Sequence, residues 1–223
     1  MTTLYLDLET IPSSDRSVVE DRVKPPATLK KKESIEKWIS EEREQAVLDA
    51  LAKTSFDGAY GQIVCIGYAI NDAPAVAVCH GDEAKHLTDL FAAISAETAL
   101  SGYRERIELV VVGHNIAGFD LPFLRKRALV NRIRPPVALS AVFKARPWDN
   151  SIQDTMLLWD SNREARISLD RLCGVLGVES SKGDLDGSQV AAAFAAGEFD
   201  RIATYCAADV EAVRACHKRL TWT

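Results

Sequence analysis

The run Thr3-Leu4-Tyr5-Leu6-Asp7-Leu8-Glu9 alternates strictly between apolar and polar positions. On an extended backbone Leu4, Leu6 and Leu8 fall on one face, and Tyr5, Asp7 and Glu9 on the other. A strand over Thr3–Leu8 is therefore expected, with its leucines turned to a core. Pro12 and the Ser13-Ser14-Asp15 that follows end it. The two acids stand two residues apart, about 7 Å along the strand. Ionised carboxylates on a core strand repel one another and lose hydration unless they are paired or hold a cation. The alternative is that Asp7 and Glu9 lie at a solvated strand end.

Outward from this strand, residues 13–60 form a polar excursion with Pro25-Pro26, a lysine run Lys30–Lys32 and a helical stretch from about Ser34 to Lys53. Gln62–Ile70 and Ala75–Cys79 read as a hairpin across Asn71-Asp72-Ala73-Pro74, rich in β-branched residues. A helix over about Asp82–Ala96 precedes the apolar strand Leu109–Gly113. Pro122 fits a first helical turn, so a helix is expected from Asp120 to about Asn131. Ser151–Leu158 reads as another strand. The last third is helical, over Leu169–Leu176, Ser188–Ala196 and Phe199–Leu220. A hairpin inside an alternating β/α chain predicts an α/β fold, a mixed sheet flanked by helices. At 223 residues, one domain over 1–223 with an insertion at 13–60 is expected.

Composition narrows the class. Hydrophobic residues make up 47% and charged ones 26%, which excludes wholesale disorder. No apolar run reaches the roughly 18 residues of a membrane span, and the acids at positions 7 and 9 argue against a signal peptide. Five cysteines, Cys65, Cys79, Cys173, Cys206 and Cys216, form no C-x-x-C pair. This argues against a disulfide framework or zinc knuckle and for a reducing cytoplasm. Between Leu121 and Trp148 there is no acid, while Arg125, Lys126, Arg127, Arg132, Arg134, Lys144 and Arg146 are all basic. Such a strip is either a solvated face or a phosphate contact.

Two further features carry polar chemistry. Gly113-His114-Asn115-Ile116-Ala117-Gly118-Phe119-Asp120 is a polar turn after a buried strand, in which Asp120 alone would serve as a helix cap. In Tyr205-Cys206-Ala207-Ala208-Asp209, Tyr205 and Asp209 share a helix face. Aspartate is a poor interior helix residue, so its place among alanines and valines is informative unless it is solvated.

Taken in order, Asp7-x-Glu9, Asn115-x3-Phe119-Asp120 and Tyr205-x3-Asp209 resemble the three exonuclease motifs of the DEDD superfamily in its DEDDy branch. The chain is most similar to stand-alone exonucleases related to the proofreading domain of family B DNA polymerases. The likeness extends to Lys182–Val190 and Phe199–Val210 and covers about residues 1–11 and 60–220; the 13–60 insertion departs from the minimal domain.

This resemblance implies a ribonuclease H-like fold and a 3′–5′ exonuclease acting on DNA, single-stranded by preference. Asp7, Glu9, Asp120 and Asp209 would hold two Mg²⁺ or Mn²⁺ ions, Asp7 bridging them. Tyr205 would orient the attacking water, since a phenol with a pKa of about 10 stays protonated. Thr10, Asn115 and Phe119 are similar to residues that grip the terminal nucleotide. Lys30–Lys32, Lys182 and the basic strip are candidate phosphate contacts, and His114 neighbours the site. An RNA-trimming enzyme of the same mechanism and a non-catalytic nucleic-acid-binding module are the alternatives. DNA repair, recombination and nucleotide salvage are roles open to such an enzyme.

Overall fold

A computed structural model describes residues 1–100, 109–146, 148–160, 166–180, 183 and 185–223. Among these residues one five-stranded sheet runs in the order β3-β2-β1-β4-β5. Its strands are β1 (Thr2–Ile11), β2 (Gln62–Ile70), β3 (Val76–Cys79), β4 (Leu109–Gly113) and β5 (Ile152–Asp154). The hairpin strands β2 and β3 are antiparallel to their neighbours, whereas β4 and β5 run parallel to β1. This mixed sheet between helices has the ribonuclease H-like architecture, with β1 at its centre.

The alternation in β1 sets what lies on each face. Leu4, Leu6 and Leu8 join Ile63 and Ile66 of β2 in a core closed by α4 (Glu83–Leu100) and α5 (Asp120–Val130). On the other face, Tyr5, Ala69, Val110 and Val112 pack on Val210 and Val213 of the C-terminal helix. Between α5 and that helix lie α6 (Val137–Val142), α7 (Thr155–Trp159), α8 (Leu169–Leu176) and α9 (Val190–Ala195); the C-terminal helix itself is α10 (Phe199–Thr221). No described helix is long and apolar enough to cross a membrane.

Two expected elements are corrected. The strand expected over Ser151–Leu158 is only three residues long, because Asp154 turns the chain into α7 by accepting the N–H of Met156. The single helix expected over Ser34–Lys53 is two, α2 (Lys32–Glu41) and α3 (Arg43–Ala52), after a short α1 (Ser17–Glu20). Trp38 and Val47 are both buried, yet nine residues apart they would face opposite sides of a straight helix. A break at Glu42 lets both turn inward. Trp38 thus packs the insertion rather than offering a surface to a base.

Candidate active site

β1 outruns its parallel neighbour. Pairing with β4 stops at Tyr5, so the edge of β1 beyond it is open on that side. Asp120, the first residue of α5, fills the gap: its Oδ1 accepts the Leu8 N–H at 3.1 Å. The carboxylate therefore bonds the strand segment between Asp7 and Glu9, and Phe119, not Asp120, holds the cap position of α5.

From the other face α10 supplies Tyr205 and Asp209. Its approach depends on Gly67, the β2 partner of Asp7. A Cβ at Gly67 would lie 2.8 Å from both the carbonyl oxygen and the Sγ of Cys206, so only glycine lets the helix lie this close. Cys206 Sγ then stands 3.5 Å from Asp7 Oδ2, donating to it. Glu9, Asp120 and Asp209 are buried, and Asp7 is partly so.

The electrostatics follow from this crowding. Burial first, and then the Asp209 charge, push the Asp7 carboxyl up to about 7. Glu9 is held well above the usual carboxylate range by burial and by Asp7, Asp209 and Asp120. Asp120 is raised by burial and by Asp7. Tyr205 hydrogen-bonds Asp209, and burial together with Asp209, Glu9 and Asp7 raises its phenol above the ordinary value. The largest charge effects on Asp7, Glu9 and Asp120 come from other carboxylates. A donor set of this kind suits divalent cations: ligand atoms of Asp7, Glu9 and Cys206 lie within 4.8 Å of one another, and the carboxylates offer the oxygens that hard cations prefer. Sequence reading missed Cys206, although it directly follows the motif tyrosine.

The loop from β4 to α5 is held by a residue that sequence reading also passed over. Asp154 accepts the backbone N–H of Asn115 at 2.9 Å and of Ala117 at 3.1 Å. Its signal was present as an aspartate ahead of a short helix. Asn115 adopts a left-handed φ of 57°, and its Oδ1 would lie 2.6 Å from a Cβ on Gly118. His114 adds a second tie, its Nε2 donating to the Ile167 carbonyl at 2.8 Å.

This loop borders a pocket of about 500 Å³ lined by Asn115, Phe119, Met156, Leu157, Arg166 and Phe56. Phe56 comes from the insertion. It ends a short 3₁₀ helix, Lys53–Phe56, is 74% exposed, and its ring lies 6.3 Å from that of Phe119. Thr10 anchors this segment, its hydroxyl donating to the Ser55 carbonyl at 2.8 Å. The Thr10 hydroxyl hydrogen is thereby committed to the insertion.

The basic strip divides. Arg127 is buried in a two-pronged pair with Glu83, Nε–Oε1 at 2.8 Å and Nη2–Oε2 at 2.7 Å, and Lys126 pairs with Asp57 at 2.9 Å. Buried in this pair, Arg127 is not free to meet phosphate, whereas Lys126 is half-exposed and its surface pair is weak. Lys30–Lys32 are exposed, with Lys32 beside Glu36 at 3.8 Å. Lys182 lies outside the described residues.

A ribonuclease H-like sheet with acids gathered at the end of its central strand defines the class of protein. Within that class, residues 75–214 match the family described as "predicted 3'-5' exonuclease related to the exonuclease domain of PolB", and the chain belongs to this family. The matched stretch contains Asp120, Tyr205 and Asp209, while Asp7 and Glu9 precede it. Among solved structures, the chain is similar to the family B DNA polymerase from the hyperthermophilic archaeon Pyrobaculum calidifontis, with a TM-score of 0.61 and 16% identity. That match covers 99% of this chain and 24% of the polymerase, and it speaks for the fold. A comparison with curated proteins found no match.

Proposed function

We propose that residues 1–223 act as one metal-dependent exonuclease domain that removes nucleotides from the 3′ end of DNA, preferring single strands. One observation carries this reading. Asp7 and Glu9 of β1, Asp120 of α5 and Asp209 of α10 act on one another electrostatically, and the largest charge effects on Asp7, Glu9 and Asp120 come from other carboxylates. Those four carboxylates would hold two divalent cations, Mg²⁺ or Mn²⁺, as an all-oxygen set. When bound, the pair supplies Lewis-acid stabilisation of the attacking and leaving oxygens of a phosphodiester.

The remaining steps belong to the protein. Tyr205, its phenol kept protonated by burial and by Asp209, donates its one O–H to the Asp209 carboxylate, and its oxygen accepts a hydrogen bond that orients the attacking water without taking the water's proton. Asn115 and the Thr10 main chain offer hydrogen bonds to the terminal nucleotide. Phe119 and Phe56 supply flat apolar walls for its base. A reducing cytoplasm suits five cysteines that are all free thiols.

The test is incubation of 5′-labelled DNA and RNA oligonucleotides with Mg²⁺, Mn²⁺ or EDTA. The expected result is a ladder shortened from the 3′ end, stronger on single-stranded DNA and absent in EDTA. Undiminished cleavage in EDTA, or no ladder at all, overturns the proposal. A ladder confined to RNA reassigns the substrate.

A further inference from the structure

Beyond the site, three depressions join end to end along α5 and α6. The first, bordered by Ala117, Leu121, Arg125 and Phe143, begins one residue from Gly118 of the nucleotide pocket. It shares Arg125 and Phe143 with the second, which adds Lys144, Ile133 and Pro135. The second shares Ile133 and Pro135 with the third, the largest at about 670 Å³, where Arg134 and Val137 stand against α4. The floor is apolar, and Val137 is 79% exposed.

The charges along this path are available. Lys126 and Arg127 are engaged with Asp57 and Glu83. Arg125, Arg134 and Lys144 are exposed and make no ion pair among the described residues. No acid interrupts the sequence from Leu121 to Trp148. Arg132 stands at the left-handed position that ends α5, with φ 57°, where glycine is the residue at ease.

We propose that these linked depressions are the track for the nucleic-acid strand upstream of the scissile bond. Arg125, Lys144 and Arg134 meet successive phosphates, and bases lie over Phe143, Pro135 and Val137. The inference rests on the exonuclease reading of the adjoining site. α5 has 11 residues and is about 16 Å long. A stacked strand advances about 3.4 Å per nucleotide, so the track along α5 holds roughly five nucleotides. Continuity with the site, and a lining that includes no acid among the described residues, favour a polyanionic strand over a protein segment.

The experiment measures binding of fluorescein-labelled oligothymidylates of three and twelve nucleotides in EDTA, across a salt series, so that no turnover is needed. The variant Arg125→Gln/Arg134→Gln/Lys144→Gln is compared with Arg171→Gln/Lys218→Gln/Arg219→Gln, an equal charge change on α8 and α10. At about 0.7 per single-strand phosphate contact, the track variant should lower the salt slope for the twelve-mer by about 2. The trinucleotide, too short to leave the site, should keep its slope, and the control variant should change neither. Equal losses at both lengths, or no loss, overturn the track. So does a groove that binds polyglutamate through the same three residues while the twelve-mer is unaffected. Failure of the unsubstituted protein to shorten any 3′ end would instead refute the exonuclease reading, which this binding measurement leaves separate.

Discussion

Asp7 shows how one residue ties function to stability. Its carboxyl stands at about 7 in the folded chain against an ordinary 3.8, so between those values the native state binds more protons than the unfolded one. The contribution of Asp7 to the stability of the metal-free protein therefore falls as pH rises from about 4 to 7. Glu9 and Asp120 are shifted in the same direction, while His86, His114 and His217, lowered by burial, contribute in the opposite sense. Thermal melts in EDTA should show the unsubstituted protein losing Tm relative to Asp7→Asn across this window, because only the former must give up the extra proton. Mn²⁺ should raise Tm more at pH 8 than at pH 5, because cations need ionised ligands. A Tm difference in EDTA between the unsubstituted protein and Asp7→Asn that does not change with pH would show that the Asp7 carboxyl is not raised. The side chains should also separate by role. Asp7→Ala removes a ligand and should abolish 3′-end shortening with the fold retained. Tyr205→Phe removes one hydrogen bond to the water and should leave measurable turnover, above that of Asp7→Ala in the same end-label assay.

At the scale of elements, the site is made by two close approaches. α5 inserts Asp120 where β4 no longer covers β1, and α10 lies on β2 because Gly67 has no side chain. Gly67→Ala should push α10 away. The expected cost is about 1–3 kcal/mol, roughly 2–12 °C in Tm, with weaker metal binding by calorimetry. Gly187→Ala, where nothing lies within 4 Å of the new Cβ, should stay within about 0.5 kcal/mol of the parent. Equal effects from the two substitutions would refute the close-packing account. The insertion contributes to the pocket too, through Phe56. It returns through Ser55 and Phe56, pinned by the Thr10 hydroxyl.

Across the whole molecule, one buried polar network fastens the sheet to its helices. Glu83 at the start of α4 accepts the Ile63 N–H of β2, the Arg127 guanidinium of α5 and the Asn131 amide. Removing one partner leaves the other charge buried and unpaired. Arg127→Met should cost about 3–5 kcal/mol in urea unfolding. The double variant Arg127→Met/Glu83→Gln should cost less than Arg127→Met alone, because it leaves no buried charge. A double variant as unstable as the single would show that packing, not charge, holds this corner.

What the sequence by itself determined is local and periodic. The alternation of Leu4, Leu6 and Leu8 against Tyr5, Asp7 and Glu9 announced the central strand and its two faces. The spacing of Tyr205 and Asp209 put both on one helix face, and the order of the motifs pointed to the family. These are readable because side-chain periodicity follows from backbone geometry alone. Only the tertiary structure decided the rest. Asp154 turned an apparent strand into a helix, Trp38 and Val47 broke one helix into two, and Arg127 left the basic strip for a buried partner 44 positions away. Burial broke the helix, a distant carboxylate captured Arg127, and Asp154, besides its local cap on Met156, is bound by the Asn115 and Ala117 N–H groups; no local pattern encodes these long-range ties.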